Sequence, residues 1–211
     1  MKAILMSIRP EWVEKILNKE KTIEVRKCFP SDYVGWVYIY CTKGKQLVDC
    51  PQWVENELCH QFWYDKDIAL LENSQALLNG KVVARFWCDK VEDFGSKYVY
   101  AMKDQHFYDI LKGACLTARD LTEYAHFTHE QFIKGKTNLY AIHITKLEIF
   151  DKPKELSEFY RIRITKCINC KHYKTQCKGI STNECHTRIP LTKAPQSWYF
   201  IEADNEQANK D

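Results

Sequence analysis

The sequence predicts an α+β fold: a small mixed β-barrel with short helices at its sides and a cysteine-rich insertion. Three observations predict it. About six segments show the alternation, or the β-branched and aromatic enrichment, of strands. The helical segments between them are short and follow no regular β-α-β rhythm, which argues against a parallel doubly wound sheet. A last strand pattern lies beyond the cysteine-rich block, so the main domain resumes after it.

"KAILMS" (2–7) is the first strand. "RPEWVEKILN" follows as a helix, with Pro10 suited to its first turn and Trp12, Val13, Ile16 and Leu17 on one face. "KTIEVRK" (21–27) alternates as a strand, with Ile23 and Val25 on one face and Thr22, Glu24 and Arg26 on the other. The simpler reading of that polar face is an edge strand with one wet side. The sharper one is the lining of a polar pocket.

"GWVYIYCT" (35–42) is an apolar, aromatic strand. From Lys43 to Asn79 the pattern degrades, ending in a helix-like "IALLENSQALL". Asn79–Gly80 signals a turn into the strand "KVVARFWCD". "DQHFYDILKG" and "LTARDLTEYAHF" read as short helices, Gly113 ending the first. "LYAIHITKLEIF" (139–150) is the longest strand, 151–160 a polar connection, and "SWYFIEA" (197–203) the last strand. One domain over 1–203 is expected, with insertions at 44–79 (partly helical) and 161–193, and a polar tail over 204–211.

A chain of 211 residues, 45% hydrophobic and 13% aromatic, can bury one sizeable core. No apolar run is long enough to span a bilayer, and the N-terminus lacks the apolar region of a signal peptide. A cytoplasmic setting is expected, where thiols stay reduced, so ten cysteines point toward metal binding. Charge is uneven. Between Phe159 and Lys193 eight Lys/Arg face Glu184 alone, +7 locally, which leaves −4 for the rest of a chain of net +3. That asymmetry points to an anionic partner such as nucleic acid.

The basic stretch is also the cysteine block, where Cys167, Cys170, Cys177 and Cys185 form C-x2-C-x6-C-x7-C. The first pair offers two thiolates from one tight turn, and the later two can close a tetrahedron, which suits a structural zinc. His172 or His186 could replace one cysteine. An iron–sulfur cluster is the alternative, though neither common ferredoxin spacing matches. Four thiolates on one zinc dication carry −2, leaving about +5 locally. Cys41 and Cys88 read as packing residues inside strands, and Cys50, Cys59 and His60 as a weaker second metal candidate.

A strand, a short helix and then Lys21, Glu24 and Arg26 in K-x-x-E-x-R resemble the ASCH domain of the PUA-like superfamily, whose motif is G-x-K-x-x-E-x-R. The later strand order, through "GKVVARFWCD", "LYAIHITKLEIF" and "APQSWYFIE", is similar to that family's. The resemblance covers about 1–43, 80–150 and 194–203. Lys19 stands where the family has glycine, which makes the local turn the point of departure.

The resemblance implies a PUA-like barrel with an electropositive cleft for RNA or a modified nucleoside or nucleotide. Arg26 is a forked donor for phosphate or a base edge, Glu24 an acceptor for an exocyclic amine, and Lys21 a further cation. Trp12, Trp198 and Tyr199 are candidate stacking surfaces, with core packing as the competing reading. Some ASCH proteins are amidohydrolases acting on N-acylated cytidine, and ribonuclease activity is attributed to others. On that alternative Lys21, Thr22 and Glu24 are the catalytic candidates. The amidohydrolase branch has Thr where Glu24 stands, and a carboxylate there is expected to raise the pKa of Lys21. The seven histidines form no obvious acid–base pair in sequence. Binding therefore leads and hydrolysis follows.

Overall fold

The computed structural model describes residues 2–55, 57–64, 76–94, 104–126, 138–161 and 190–202. Its main sheet runs β10 (Thr145–Lys154), β7 (Val82–Cys88), β3 (Gly35–Cys41), β1 (Lys2–Ile8) and β11 (Trp198–Glu202). β1 and β3 are parallel, and the other neighbours are antiparallel. These two strands are the continuous apolar runs of the sequence because both their faces are covered. Ile4, Met6, Val37 and Ile39 enter one core, and Ala3, Leu5, Tyr38 and Tyr40 the other.

A second sheet has the order β2 (Ile23–Arg26), β9 (Tyr140–His143), β8 (Val91–Asp93). The long strand expected over 139–150 is thus two elements, β9 and β10, parted at Ile144. Its partner is parted likewise between β7 and β8. Trp87 opposes Thr145 in the main sheet, and Val91 opposes Ile142 in the small one. One antiparallel ribbon therefore turns a corner from sheet to sheet.

The expected barrel is not closed: among the described residues no ladder joins the small sheet to β1. Among the described residues, the contact between β2 and β1 is instead made by a side chain. A guanidinium N–H of Arg26 donates to the Ser7 carbonyl of β1 at 2.7 Å.

The stretch 44–79 also differs from expectation. Its described part is β4 (Leu47–Val54), β5 (Glu57–Tyr64) and β6 (Ala76–Leu77), in the order β5-β4-β6. The helix-like residues 68–75 lie outside the described residues. Pro51 lies beyond the two residues that pair with β6, so among the described residues the missing N–H breaks no ladder on that side. β5 leans on helix α1 (Pro10–Leu17). Asn18 Nδ2 donates to the Phe62 carbonyl at 3.0 Å, Asn18 Oδ1 accepts from the Phe62 N–H at 3.3 Å, and Glu14 Oε1 accepts from the Tyr64 N–H at 3.0 Å. Side chains one helical turn apart thus occupy the hydrogen-bonding edge of a strand.

Helices α2 (Gln105–Gly113) and α3 (Ala118–Ala125) cover the small sheet. Phe107, Ile110, Leu111 and Leu121 pack on Ile23, Val25 and Ala141, which is why β2 alternates. Asp104 caps α2, and a Thr117–Asp120 capping box starts α3. A Cβ at Gly113 would lie 2.9 Å from Ile23 Cδ1, so glycine lets α2 end directly against β2.

The connection expected over 151–160 begins as strand, since β10 continues to Lys154 with Pro153 on an edge of the main sheet. Tyr160 then bridges Pro190, and Arg161 bridges Ile201 of β11. The two ends of segment 162–189 therefore meet. Cys167, Cys170, Cys177 and Cys185 fall within that segment, outside the described residues.

Candidate functional site

The helix-to-strand turn brings the motif residues together. Lys19, at φ 62, takes the left-handed conformation that glycine adopts at little cost. The Lys19 N–H donates to Ile16 O at 2.9 Å and the Glu20 N–H to Lys15 O at 2.8 Å, the paired bonds of a Schellman ending. The turn survives the substitution at the cost of a strained lysine.

Beyond it, the side chains of Lys21, Glu24 and Arg26 are 3%, 8% and 13% exposed. The polar face of β2 is thus neither wet nor open. Lys21 Nζ donates to the Ala114 carbonyl at 2.6 Å and stands 3.5 Å from Glu24 Oε2 and 5.0 Å from the centre of the Trp12 ring. Its ammonium caps the carbonyl end of α2, where the helix dipole favours a cation. Arg26 Nε is 3.0 Å from Glu24 Oε1, a close ion pair that lacks the alignment of a hydrogen bond. One buried carboxylate therefore sits between two cations.

The pKa of Lys21 is lowered. Burial is the larger influence, and the neighbouring Glu24 opposes it. Glu24 does act to raise it, as expected, but desolvation of the ammonium outweighs that attraction and the net shift is downward.

Thr22 is exposed and belongs to the junction with α2: its N–H donates to Gly113 O at 2.8 Å, and its hydroxyl would lie 3.0 Å from a Cβ there. Trp198 donates its indole N–H to the Cys28 carbonyl at 2.7 Å and packs edge-on against Phe29 and Phe200. Tyr199 donates its hydroxyl to Lys193 O at 2.7 Å.

Tyr124 of α3 is the neighbour that sequence reasoning missed. Its pKa is raised chiefly by burial, with the charges of Arg26, Glu24 and Arg9 all acting on it. The Lys27 ammonium lies 5.2 Å from the centre of its ring. No local signal marks Tyr124, since only the docking of α3 on β2 brings it there. The Arg9 side chain is 77% exposed, and Lys27 is exposed as well. A buried Lys21–Glu24–Arg26 core thus carries an aromatic, cationic rim.

Among the described residues no His, Cys, Asp and Glu group is arranged to hold a metal. Strand alternation separates the second metal candidate. Cys50 pairs with Gln61, and Cys59 is opposite residue 52, whereas His60 opposes Pro51 and so belongs to the other face. Burial pushes the Cys41 and Cys88 thiols up to about 12, as befits packing residues. The fold does unite two histidines that are distant in sequence. His143 Nε2 and His106 Nε2 lie 2.6 and 2.9 Å from the oxygens of Glu92, and Lys90 Nζ is 2.9 Å away.

No family model and no curated protein matches the chain. The crystal structure of ASCH from Zymomonas mobilis is similar at 14% identity, over 73% of each chain, with a TM-score of 0.43. Structures of two point mutants of that protein are similar too, at 12% identity and TM-score 0.42, and at 14% and 0.44. They cover 74% of this chain and 77% of theirs, and 73% and 74%, respectively. These solved structures are ASCH domains. In the sequence, the motif that resembles that family's is formed by Lys21, Glu24 and Arg26.

Proposed function

We propose that this chain is an ASCH-type module that binds RNA or a modified nucleobase, with a structural zinc held by Cys167, Cys170, Cys177 and Cys185. The observation that carries the binding reading is the rim, where exposed Arg9 and Lys27 stand with the Tyr124 ring beside buried Arg26. Cations next to an aromatic face suit a phosphate and its base. Ligand contact falls first to the rim, because the three motif side chains already serve one another.

Fluorescence anisotropy with a short single-stranded RNA, across a salt series, tests this. Arg9→Ala and Lys27→Ala should each weaken binding and lower the salt slope by about one. Affinity unchanged in both variants would remove the rim from the interface.

The hydrolase reading, on N-acylated cytidine, has one observation in its favour: burial lowers the Lys21 pKa, as a general base requires. Against it, Lys21 Nζ is committed to the Ala114 carbonyl, and Thr22 lies at the α2 junction. Deacylation of a panel of N-acylated cytidines, abolished in Lys21→Met, would reverse the order of the two readings. Cleavage of the labelled RNA during the binding assay would do the same for a ribonuclease.

A further inference from the structure

The buried core and the exposed rim meet at Arg26. Its Nη2 donates to the Ser7 carbonyl at 2.7 Å, and its Nε lies 3.0 Å from Glu24 Oε1. Among the described residues nothing accepts a hydrogen bond from Nη1. Of the Arg26 nitrogens without a partner, only Nε is shut away from solvent. One edge of the guanidinium is therefore open and uncommitted. The side chain as a whole is 13% exposed, so that edge lies in a recess rather than on a surface.

The rim stands above it. Tyr124 is 40% exposed, the Lys27 ammonium lies 5.2 Å from its ring centre, and Arg9 acts on the same phenol. The charges here do not cancel. Lys21, Arg26, Arg9 and Lys27 face Glu24 and Glu11, four cations against two carboxylates, which leaves two positive charges. Arg9 Nη1 is 3.8 Å from Glu11 Oε1 in a pair open to solvent, so Glu11 ties up little of it.

An RNA strand offers two kinds of phosphate. An internal phosphodiester carries a single charge and has chain on both sides, so it meets a protein along an open groove. A terminal phosphomonoester carries about −1.5 to −2 near neutral pH and presents three free oxygens. It can enter a recess end-on. Two uncompensated cations match the terminal group in charge, and the depth of Arg26 matches it in shape. Nη1 brings two N–H donors to its oxygens, and a charge-assisted bond is stronger where water is excluded. We propose, resting on the RNA reading above, that the Arg26 recess receives the terminal phosphomonoester of an RNA end while Tyr124 stacks on the adjoining base. Lys21 stays with the Ala114 carbonyl and Glu24, and balances the charge of the floor without touching the ligand.

Fluorescence anisotropy with the full chain compares one short single-stranded RNA in three forms, the dye on an internal base. The forms carry a 5′-phosphate, a 3′-phosphate or hydroxyls at both ends. One phosphorylated form should bind at least tenfold more tightly than the hydroxyl form, and which one it is identifies the end. That margin should shrink at least threefold in Arg26→Lys, which keeps the charge and loses the fork. A gain from added charge alone would be the same in that variant. If Arg26→Lys does not fold, Lys27→Ala decides, since it should cost the phosphorylated RNA at least threefold more than the hydroxyl form. Equal affinity of the three RNAs, or a margin untouched by the deciding substitution, overturns the proposal and leaves RNA binding itself standing. No binding of any of the three removes the RNA reading, and the proposal with it.

Discussion

The guanidinium of Arg26 donates to the Ser7 carbonyl at 2.7 Å, so a side chain joins β2 to β1 where a closed barrel would have a ladder. The same group is paired with Glu24, which is also in contact with Lys21. Arg26 is therefore a structural tie before it is a contact for any ligand.

Arg26→Ala should accordingly destabilise the domain, by about 2–4 kcal/mol, because it unpairs a buried carboxylate and a carbonyl. Urea unfolding measures this directly. Arg26→Lys should recover only part of the loss, since one ammonium cannot reach both partners with the fork's geometry. A fully stable Arg26→Ala protein would show that the tie contributes little.

Lys19→Gly should stabilise the chain by about 1 kcal/mol. Its φ of 62 is unfavourable for lysine and free for glycine, and the Schellman bonds are kept. Lys19→Ala should leave stability nearly unchanged. Thermal unfolding of the two variants side by side distinguishes release of strain from loss of the side chain.

For Lys21 the sign of the pH effect follows from its lowered pKa. Below the folded-state pKa both states carry the proton. Between that value and the ordinary 10.5 the unfolded chain binds more protons, so stability rises with pH across this window. Wild type minus Lys21→Met should show the rise, the subtraction removing the tyrosines that titrate nearby. A flat difference curve would mean the ammonium is well solvated.

Glu92 acts at the other end of the scale. Burial alone would raise its pKa, but hydrogen bonds from Lys90, His143 and His106 bring it down to about 2 from 4.5. Its contribution is complete above 4.5 and is lost as the pH falls toward 2. Glu92→Gln should thus lower stability near neutrality and flatten acid unfolding within that window. The cluster is partly exposed, so high salt should shrink the effect.

The cysteine block predicts its own chemistry. Protein purified reduced and without chelator should carry one zinc per chain, lost in Cys167→Ser. Chelation should disturb 162–189 while amide exchange in β1 and β3 remains slow, because those strands are completed by residues outside the block. Iron with a visible charge-transfer band would instead identify a cluster.

Much of the main sheet was legible because β1 and β3 are buried on both faces, which writes unbroken apolar runs into the chain. α1 was legible from Pro10 and the one-sided spacing of Trp12, Val13, Ile16 and Leu17, and α2 from its stop at Gly113. The β4–β5 hairpin was not, since Pro51 and a half-exposed tip carrying Leu58 and Val54 blur the alternation. The break at Ile144 was hidden too: a strand that changes sheets keeps its β-branched composition through the corner. At the site, spacing placed Glu24 and Arg26 on one face but could not say that the face is enclosed. That depends on Ala114 and Trp12, which approach from two different helical regions. Tyr124 and the His106–Glu92–His143 contact were beyond reach for the same reason, being products of helix docking.

Tyr160 and Pro190 stand side by side at the rim of the main sheet, and this has an evolutionary reading. A chain that leaves and re-enters a domain at one point can lengthen, shorten or exchange what lies between without shifting the register of β10 or β11. Loop-closure entropy grows only slowly with length, so such exchanges cost the host domain little. The basic, cysteine-rich stretch of this sequence lies between those two bridged residues.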